Sequence, residues 1–239
     1  MQPTRARGLA GTRSAHEPVS LSDTSAWQRE PRAISVREEP HALYDGSKRG
    51  LDVLAAIVLA MFALPIVAIA AVAVALSTRQ NPILVQRRAG YLGREFSMLK
   101  LRTMRPGSGD EPSLPPPPGE VLVAKAPDDP RVTAVGRVLR RTSFDELPQL
   151  LNVLAGQMSL VGPRPALPEE VARYPGAWYR RLAVKPGLTG LWQVSGRSTI
   201  SPRRRVALDI IYIRRRSLVF DCAILARTFA ATISMRGAW

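Results

Sequence analysis

The sequence predicts an α+β fold that is mainly helical: a re-entrant membrane helix followed by one helical domain carrying a short β-hairpin. Three observations predict it. From Leu51 to Leu76 only Asp52 is charged, a run long enough to cross a bilayer as one helix. Beyond Asn81–Pro82 only two short segments, Ile83 to Gln86 and Arg94 to Met104, read as strands, with a turn around Gly90 and Gly93 between them. Further on, Leu147, Leu150, Leu151 and Leu154 fall at i, i+3, i+4 and i+7, one apolar helical face.

Taken in order, residues 1–47 hold six Arg and six acids with little apolar periodicity. They read as a disordered N-terminal tail, without the apolar core of a secretory signal. Residues 48–78 admit a plain reading as a single membrane span. Two features pull away from it. Pro65 sits mid-segment, where it removes a backbone bond and kinks a helix. Basic residues flank both ends, Lys48 and Arg49 before and Arg79, Arg87 and Arg88 after, as when both ends lie on the cytoplasmic side. A helix broken near Pro65 that dips into the membrane and returns satisfies both, with Asp52 facing the interface beside Lys48 or Arg49.

Residues 79–239 form the remaining domain. Residues 106–119, PGSGDEPSLPPPPG, are a proline-rich loop. DDPRVTAVGRVLRRTSFDELPQLLNVLAG reads as turn, helix, turn, helix, ended by Gly156. SLVGPRPALP is a rigid loop, and EEVARYPGAWYRRL is helical with a break at Pro175–Gly176. KPGLTGLWQVSGR is a Gly-punctuated loop or hairpin, and the rest closes as one or two helices.

The chain carries 34 Lys plus Arg against 19 Asp plus Glu, a formal charge of +15. The tail is neutral, so the excess belongs to residues 48–239. Such a field attracts phosphate on nucleic acid, on anionic lipid or on a nucleotide substrate. Five Phe and five Tyr in no stacking arrangement, and no helix-turn-helix, argue against nucleic acid. Two histidines argue against a His-based zinc or triad enzyme. The single Cys222 forms no internal disulfide, fits a reducing compartment and reads as a buried thiol.

Within SFDELPQLLNVL, Asp145 and Glu146 stand side by side before an apolar helix. As local structure, either Ser143 with Glu146 forms a capping box, or Asp145 caps and Pro148 enters the first turn. Either way a helix N-terminus favours the acids. As a site, an ionised Asp is a nucleophile towards phosphorus, provided cations and usually magnesium meet the phosphate; Arg140 and Arg141 crowd the same turn. Arg164, between Pro163 and Pro165, is presented by a rigid loop suited to phosphate, or is a solvated arginine on a turn. Lys100 and Arg102 of KLRTM share one strand face, solvated by default. Trp192, Gln193 and Arg197 belong to a binding lip or to a hairpin with a core tryptophan. RRRVALDIIYIRRR suits a helix on an anionic membrane surface or a solvated charge run.

From KRGLD through KLRTM, DDPRVTAVGRVLRRTSFDELPQLLNVLAGQMSLVGPRP and PGLTGLWQVSGR to LDIIYI and RGAW, the chain resembles the bacterial sugar transferases, the monotopic polyprenyl-phosphate phosphoglycosyl transferases in their short form. The resemblance covers nearly all of 48–239. It implies a cytosolic domain on the inner membrane, anchored by a helix broken at Pro65; the family often has Ser-Pro there, where this chain has Leu64–Pro65. It implies that Asp145 attacks the β-phosphorus of a UDP-sugar, expels UMP and holds the sugar phosphate until polyprenyl (undecaprenyl) phosphate takes it. Glu146 is then the general base or second acid, Mg2+ sits at Asp145, and Arg140 and Arg164 bind phosphate. Lys100, Arg102 and Arg197 are further substrate-binding candidates. The implied partners are UDP-sugar, polyprenyl phosphate and inner-membrane lipid, not nucleic acid, with a homo-oligomer open. A non-catalytic basic membrane-anchored protein, in which the acid pair only caps, is the alternative.

Overall fold

The computed structural model describes residues 42–105, 129–196 and 200–233. Most of the tail, the proline-rich loop 106–119, Arg197 and the closing RGAW lie outside these residues. The element that organises the rest is α1, Ala42–Thr78, 37 residues long and about 55 Å at the rise of an α-helix. Among the described residues it is the one helix long and apolar enough to cross a membrane. It begins six residues ahead of the expected Lys48. The added turn is useful because Tyr44 reaches Asp221 with its hydroxyl, 2.9 Å away.

Helix α1 runs unbroken through Pro65, which corrects the expected helix–break–helix. Two faces of different size explain how. Ala56, Ala63, Ala70 and Val74 are buried, and Ala55, Ala60, Val67 and Ala71 pack beside them. These small side chains let the helix lie close against the domain along its length. Leu54, Met61, Phe62, Leu64, Ile69 and Leu76 point outward and are exposed. Pro65 is on the outer side, and packing at Ala63 and Val67 on either side of it offsets a penalty of about 3 kcal/mol for a helix-interior proline. Asp52 turns inward, not to the interface. It is buried, accepts the Leu160 N–H at 3.2 Å and lies 3.5 Å from Lys48.

The hairpin forms where expected. Strands β1 (Ile83–Ala89) and β2 (Glu95–Leu101) pair antiparallel, from Ile83 with Leu101 to Ala89 with Glu95. Next come α2 (Ala134–Thr142) and α3 (Gln149–Leu154), separated by a 3-10 turn at Phe144–Glu146. The α3 face differs from its leucine pattern: Gln149, Leu150, Asn152 and Val153 are buried, while Leu151 is 57% exposed. The reason is Asn152, which bolts the helix to the outer edge of β2. Its Oδ1 accepts the Leu99 N–H at 3.0 Å and its Nδ2 donates to the Ser97 carbonyl at 2.7 Å. A two-stranded sheet leaves that edge unpaired, and a buried unpaired peptide group is expensive.

Two short segments then make a parallel pair, not the loop and hairpin expected: β3 (Ser159–Val161) and β4 (Gly187–Thr189). The strands approach so closely that a Cβ on Gly187 would stand 2.1 Å from the Gly162 nitrogen. Between them lie α4 (Pro168–Val171) and a 3-10 helix at Gly176–Ala183, interrupted as expected around Pro175. After α5 (Leu191–Val194), the chain closes as two helices, α6 (Pro202–Arg215) and α7 (Leu218–Ile233). Helix α6 packs one face into the core through Val206, Asp209, Tyr212 and Ile213, while Arg203, Arg204, Arg214 and Arg215 at its two ends stay exposed. The main core joins α1, β2, α3, β3 and both closing helices through Ala56, Met98, Val153, Leu160, Tyr212 and Ile224. Helix α7 turns Asp221 and Ile224 inward, which puts Cys222 on the exposed side, against the expected buried thiol.

Candidate active site

The acid pair does not cap a helix. Ser143, with φ 60°, ends α2 in the left-handed region, and its side chain makes no cap bond. Asp145 and Glu146 occupy the separate 3-10 turn, and Pro148 stands at the head of α3 without a side-chain cap. Neither scheme forms as expected, because the Ser143 side chain makes no cap bond and Pro148, not Asp145, holds the N-cap position of α3; the acids sit in the turn just ahead of that helix. Asp145 is buried at 8% exposure. A carboxylate brought that far out of water is normally matched by positive charge or hydrogen bonds.

Two arginines stand around this turn, one held on Glu146 and one on Thr103. Arg164 Nη2 donates to Glu146 Oε1 at 2.8 Å, so residues 18 apart in sequence are locked together. The GPRP loop earns its rigidity from more than its prolines. Gly162 N donates to the Thr189 carbonyl, the Pro163 carbonyl accepts from Gly187 N, and the Ala166 carbonyl accepts from Ala89 N, all between 2.8 and 2.9 Å. Pro163 and Pro165 are buried, and Arg164 emerges between them, half-buried.

Arg140 comes from the last turn of α2, and its Nε donates to Thr103 Oγ1 at 2.9 Å. Thr103 also accepts, through its carbonyl, from Thr133 N at 3.0 Å. The same carbonyl explains Gly136, where a Cβ would stand only 2.1 Å from it. The turn from Asp129 to Arg131 borders this cluster. Hydrogen bonds from Arg131 hold the Asp129 carboxyl down to about 2, and the charge of Arg140 adds to the effect.

Sequence-based candidates thus separate. The structure brings Arg164 onto Glu146, and Arg140 onto the KLRTM segment beside the same turn. Lys100 sits half-buried on β2 opposite Leu84. Arg102 lies one residue past the strand, with its Nε on the Asn81 carbonyl at 3.1 Å. Arg197 is outside the described residues. Trp192 is half-buried under Arg205, whose guanidinium lies 5.1 Å from the ring centre. Sequence reasoning missed Thr103, although it falls inside a motif already chosen for its bases, and it missed Arg181, whose Nη2 donates to the Arg164 carbonyl.

Among the described residues no three His, Cys, Asp or Glu side chains cluster as a metal cage. Two adjacent carboxylates still suit magnesium, which is usually bound through one or two carboxylates together with substrate phosphates.

Residues 43–235 match the family described as bacterial sugar transferase. The exopolysaccharide production protein ExoY of Rhizobium meliloti is 42% identical over 200 residues, covering 81% of this chain and 88% of that protein. The UDP-glucose:undecaprenyl-phosphate glucose-1-phosphate transferase of Caulobacter vibrioides is 41% identical over 216 residues, 84% of this chain and 74% of that protein. The undecaprenyl-phosphate galactose phosphotransferase of Salmonella typhimurium is 50% identical over 115 residues, 48% of this chain and 24% of that protein.

Proposed function

This chain belongs to the bacterial sugar transferase family, and on that premise we propose that it moves a sugar-1-phosphate from a UDP-sugar to polyprenyl phosphate, initiating exopolysaccharide or glycan assembly. The observation that carries the reading is the placement of the acid pair: Asp145 buried on its own turn, with Glu146 gripped by Arg164. A helix cap needs none of this.

In the first step a carboxylate oxygen of Asp145 bonds to the β-phosphorus of the UDP-sugar. The bond from that phosphorus to the bridging oxygen breaks, and UMP leaves with the electron pair. The sugar phosphate stays on Asp145 as an acyl phosphate. In the second step Glu146 takes the proton of polyprenyl phosphate, whose oxygen bonds to the same phosphorus. The bond to Asp145 breaks and the free carboxylate returns. Arg164 and Arg140 orient the diphosphate and balance its charge, the part of phosphoryl transfer that a protein mostly supplies. Mg2+ would be held by Asp145 together with the diphosphate oxygens, and would neutralise charge there.

Both ends of α1 are fastened to the domain. Lys48 reaches Asp221 at 2.8 Å and Arg49 donates to the Val153 and Leu154 carbonyls, while Ala70 and Val74 pack on Leu101 and Leu139. This supports a monotopic attachment: the unbroken α1 lies along the cytoplasmic leaflet, seated on the domain by its small-residue face, with its large outward residues in that leaflet.

The test is purified protein with polyprenyl phosphate, Mg2+ and a panel of UDP-sugars including glucose and galactose, scored by UMP release. Release matched by lipid-linked diphosphate sugar supports the reading. Asp145→Asn should lower the rate at least about 10³-fold, as nucleophile removal does, with unchanged circular dichroism and no sugar phosphate on the protein by mass spectrometry. Full activity in that variant would sink the mechanism.

A further inference from the structure

We infer that the buried Arg181–Asp209 pair is a positioning device for Arg164, linking the core helix α6 to the acid pair; the inference rests on the transferase reading of that site. The Gly162–Ala166 loop is tied down by strand neighbours at Gly162, Pro163 and Ala166. Its carbonyl at Arg164, the residue that must aim, is met instead by a side chain: Arg181 Nη2 donates to it at 3.3 Å. Arg181 uses its other nitrogens inward. Nε donates to Asp209 Oδ2 at 2.8 Å and Nη1 to the Tyr174 hydroxyl at 2.5 Å. The result is a chain of contacts from Asp209 through Arg181 to the Arg164 main chain, and from the Arg164 guanidinium to Glu146.

Stability alone is a poor reason for this pair. Asp209 is fully buried and Arg181 nearly so, at 0% and 7% exposure. Desolvating two charges is rarely repaid, and well-packed apolar residues of the same size often serve as well or better. Here the geometry is also imperfect, because Asp209 Oδ1 is buried without a hydrogen-bond partner, a penalty an apolar side chain would not carry. What an apolar substitute cannot do is offer a planar, forked donor with three fixed directions. Arg181 is held through Nε and Nη1, while Nη2 bridges the two sides, 2.8 Å from Asp209 Oδ2 and 3.3 Å from the Arg164 carbonyl. Tyr174 restricts it further, its ring centre lying 5.6 Å from the guanidinium carbon. Neither Arg181 nor Asp209 reaches the reacting atoms; they are positioning residues.

The experiment is a set of double-mutant cycles on UMP release. Asp209→Asn and Arg181→Lys are each made in the wild-type and Arg164→Ala backgrounds. Acting through Arg164, each should lower kcat/KM about tenfold or more in the first background and less than twofold in the second. Equal losses in both backgrounds would show a structural role and overturn the proposal. A second readout does not depend on turnover: hydrogen exchange in the 161–167 segment should quicken in both variants while α3 is unchanged. Unaltered exchange there overturns the proposal as well. If the wild type releases no UMP from any sugar, the transferase reading fails, and exchange still decides the positioning. Tyr174→Phe removes one acceptor and leaves the ion pair. It supplies the same two measurements if the charge variants do not fold, with a smaller loss expected in the wild-type background only.

Discussion

Thr103 shows how a small side chain controls a large one. Its hydroxyl accepts from Arg140 Nε at 2.9 Å, and it is itself 4% exposed. Thr103→Val keeps the shape and removes the acceptor. Hydrogen bonds to charged groups are worth about 1.5–3 kcal/mol, so kcat/KM for UMP release should fall roughly tenfold or more. Circular dichroism should be unchanged, and a loss under twofold would detach Arg140 from catalysis. The sequence displayed the acids and the arginines because charge in an apolar context is conspicuous. Thr103 was hidden because threonine is unremarkable in a segment that reads as a strand, and only the approach of α2 gives its hydroxyl a task. Asp129 invites a pH measurement. Its carboxyl is held down to about 2 from an ordinary 3.8, first by the Arg131 hydrogen bonds. A depressed carboxyl adds stability above its unfolded pKa and loses it as pH falls through the folded one. Unfolding free energy should therefore decline between about pH 4 and pH 2, and Asp129→Asn should flatten that decline. Denaturant titrations at stepped pH check it; identical slopes in both proteins refute it.

Between elements, coupling runs through close backbone contacts and polar bolts that hydrophobic periodicity does not encode. The four leucines around α3 gave the right element and most of its face, with Leu150 in the core and Leu147 and Leu154 packed against it, but Leu151 is exposed and Asn152 turns inward to satisfy β2. Asn152→Leu leaves the Leu99 N–H and the Ser97 carbonyl without their partner. A buried unsatisfied group costs about 1–3 kcal/mol and these two are only part-buried, so the variant should lose roughly 1–4 kcal/mol by denaturant unfolding, and a loss below about 0.5 kcal/mol would show the edge resatisfied elsewhere. Gly136→Ala works on the other side of the site. Its added carbon would stand 2.1 Å from a backbone oxygen, so α2 must shift and carry Arg140 away from Thr103. Stability and kcat/KM should both fall, which separates it from Thr103→Val, where activity falls more. An unchanged kcat/KM would show that α2 does not set the arginine. The parallel β3–β4 pair was illegible for a different reason: each strand is three residues, too short for alternation to register.

For the whole molecule, the question is how a 37-residue apolar helix can belong both to a membrane and to a domain core. Length and hydropathy revealed the membrane half of that answer. The alanine face that seats α1 on the domain was present in the sequence, but alanine counts as apolar on either face, so hydropathy does not distinguish the two sides. Size does: small residues inward, Leu, Ile, Met and Phe outward. A simple span would place one end of α1 across the bilayer from the domain. Yet the first turns are bound to Asp221, Val153 and Leu154, and the last to Leu101 and Leu139. Spanning would therefore break one set of contacts or draw polar domain surface into lipid, at several kcal/mol for each unsatisfied group. The prediction is topological. In a Cys222→Ser background, Ser47→Cys and Ser77→Cys, both at exposed positions, should react with a membrane-impermeant maleimide in inverted vesicles. Neither should react in spheroplasts, and Leu64→Cys should be shielded in both. These serines are about 45 Å apart along the helix, more than the hydrocarbon thickness, so a spanning helix would expose them on opposite sides. Labelling of either end from outside would overturn the monotopic arrangement, and with it the delivery of the lipid phosphate to Asp145 from the leaflet that α1 occupies.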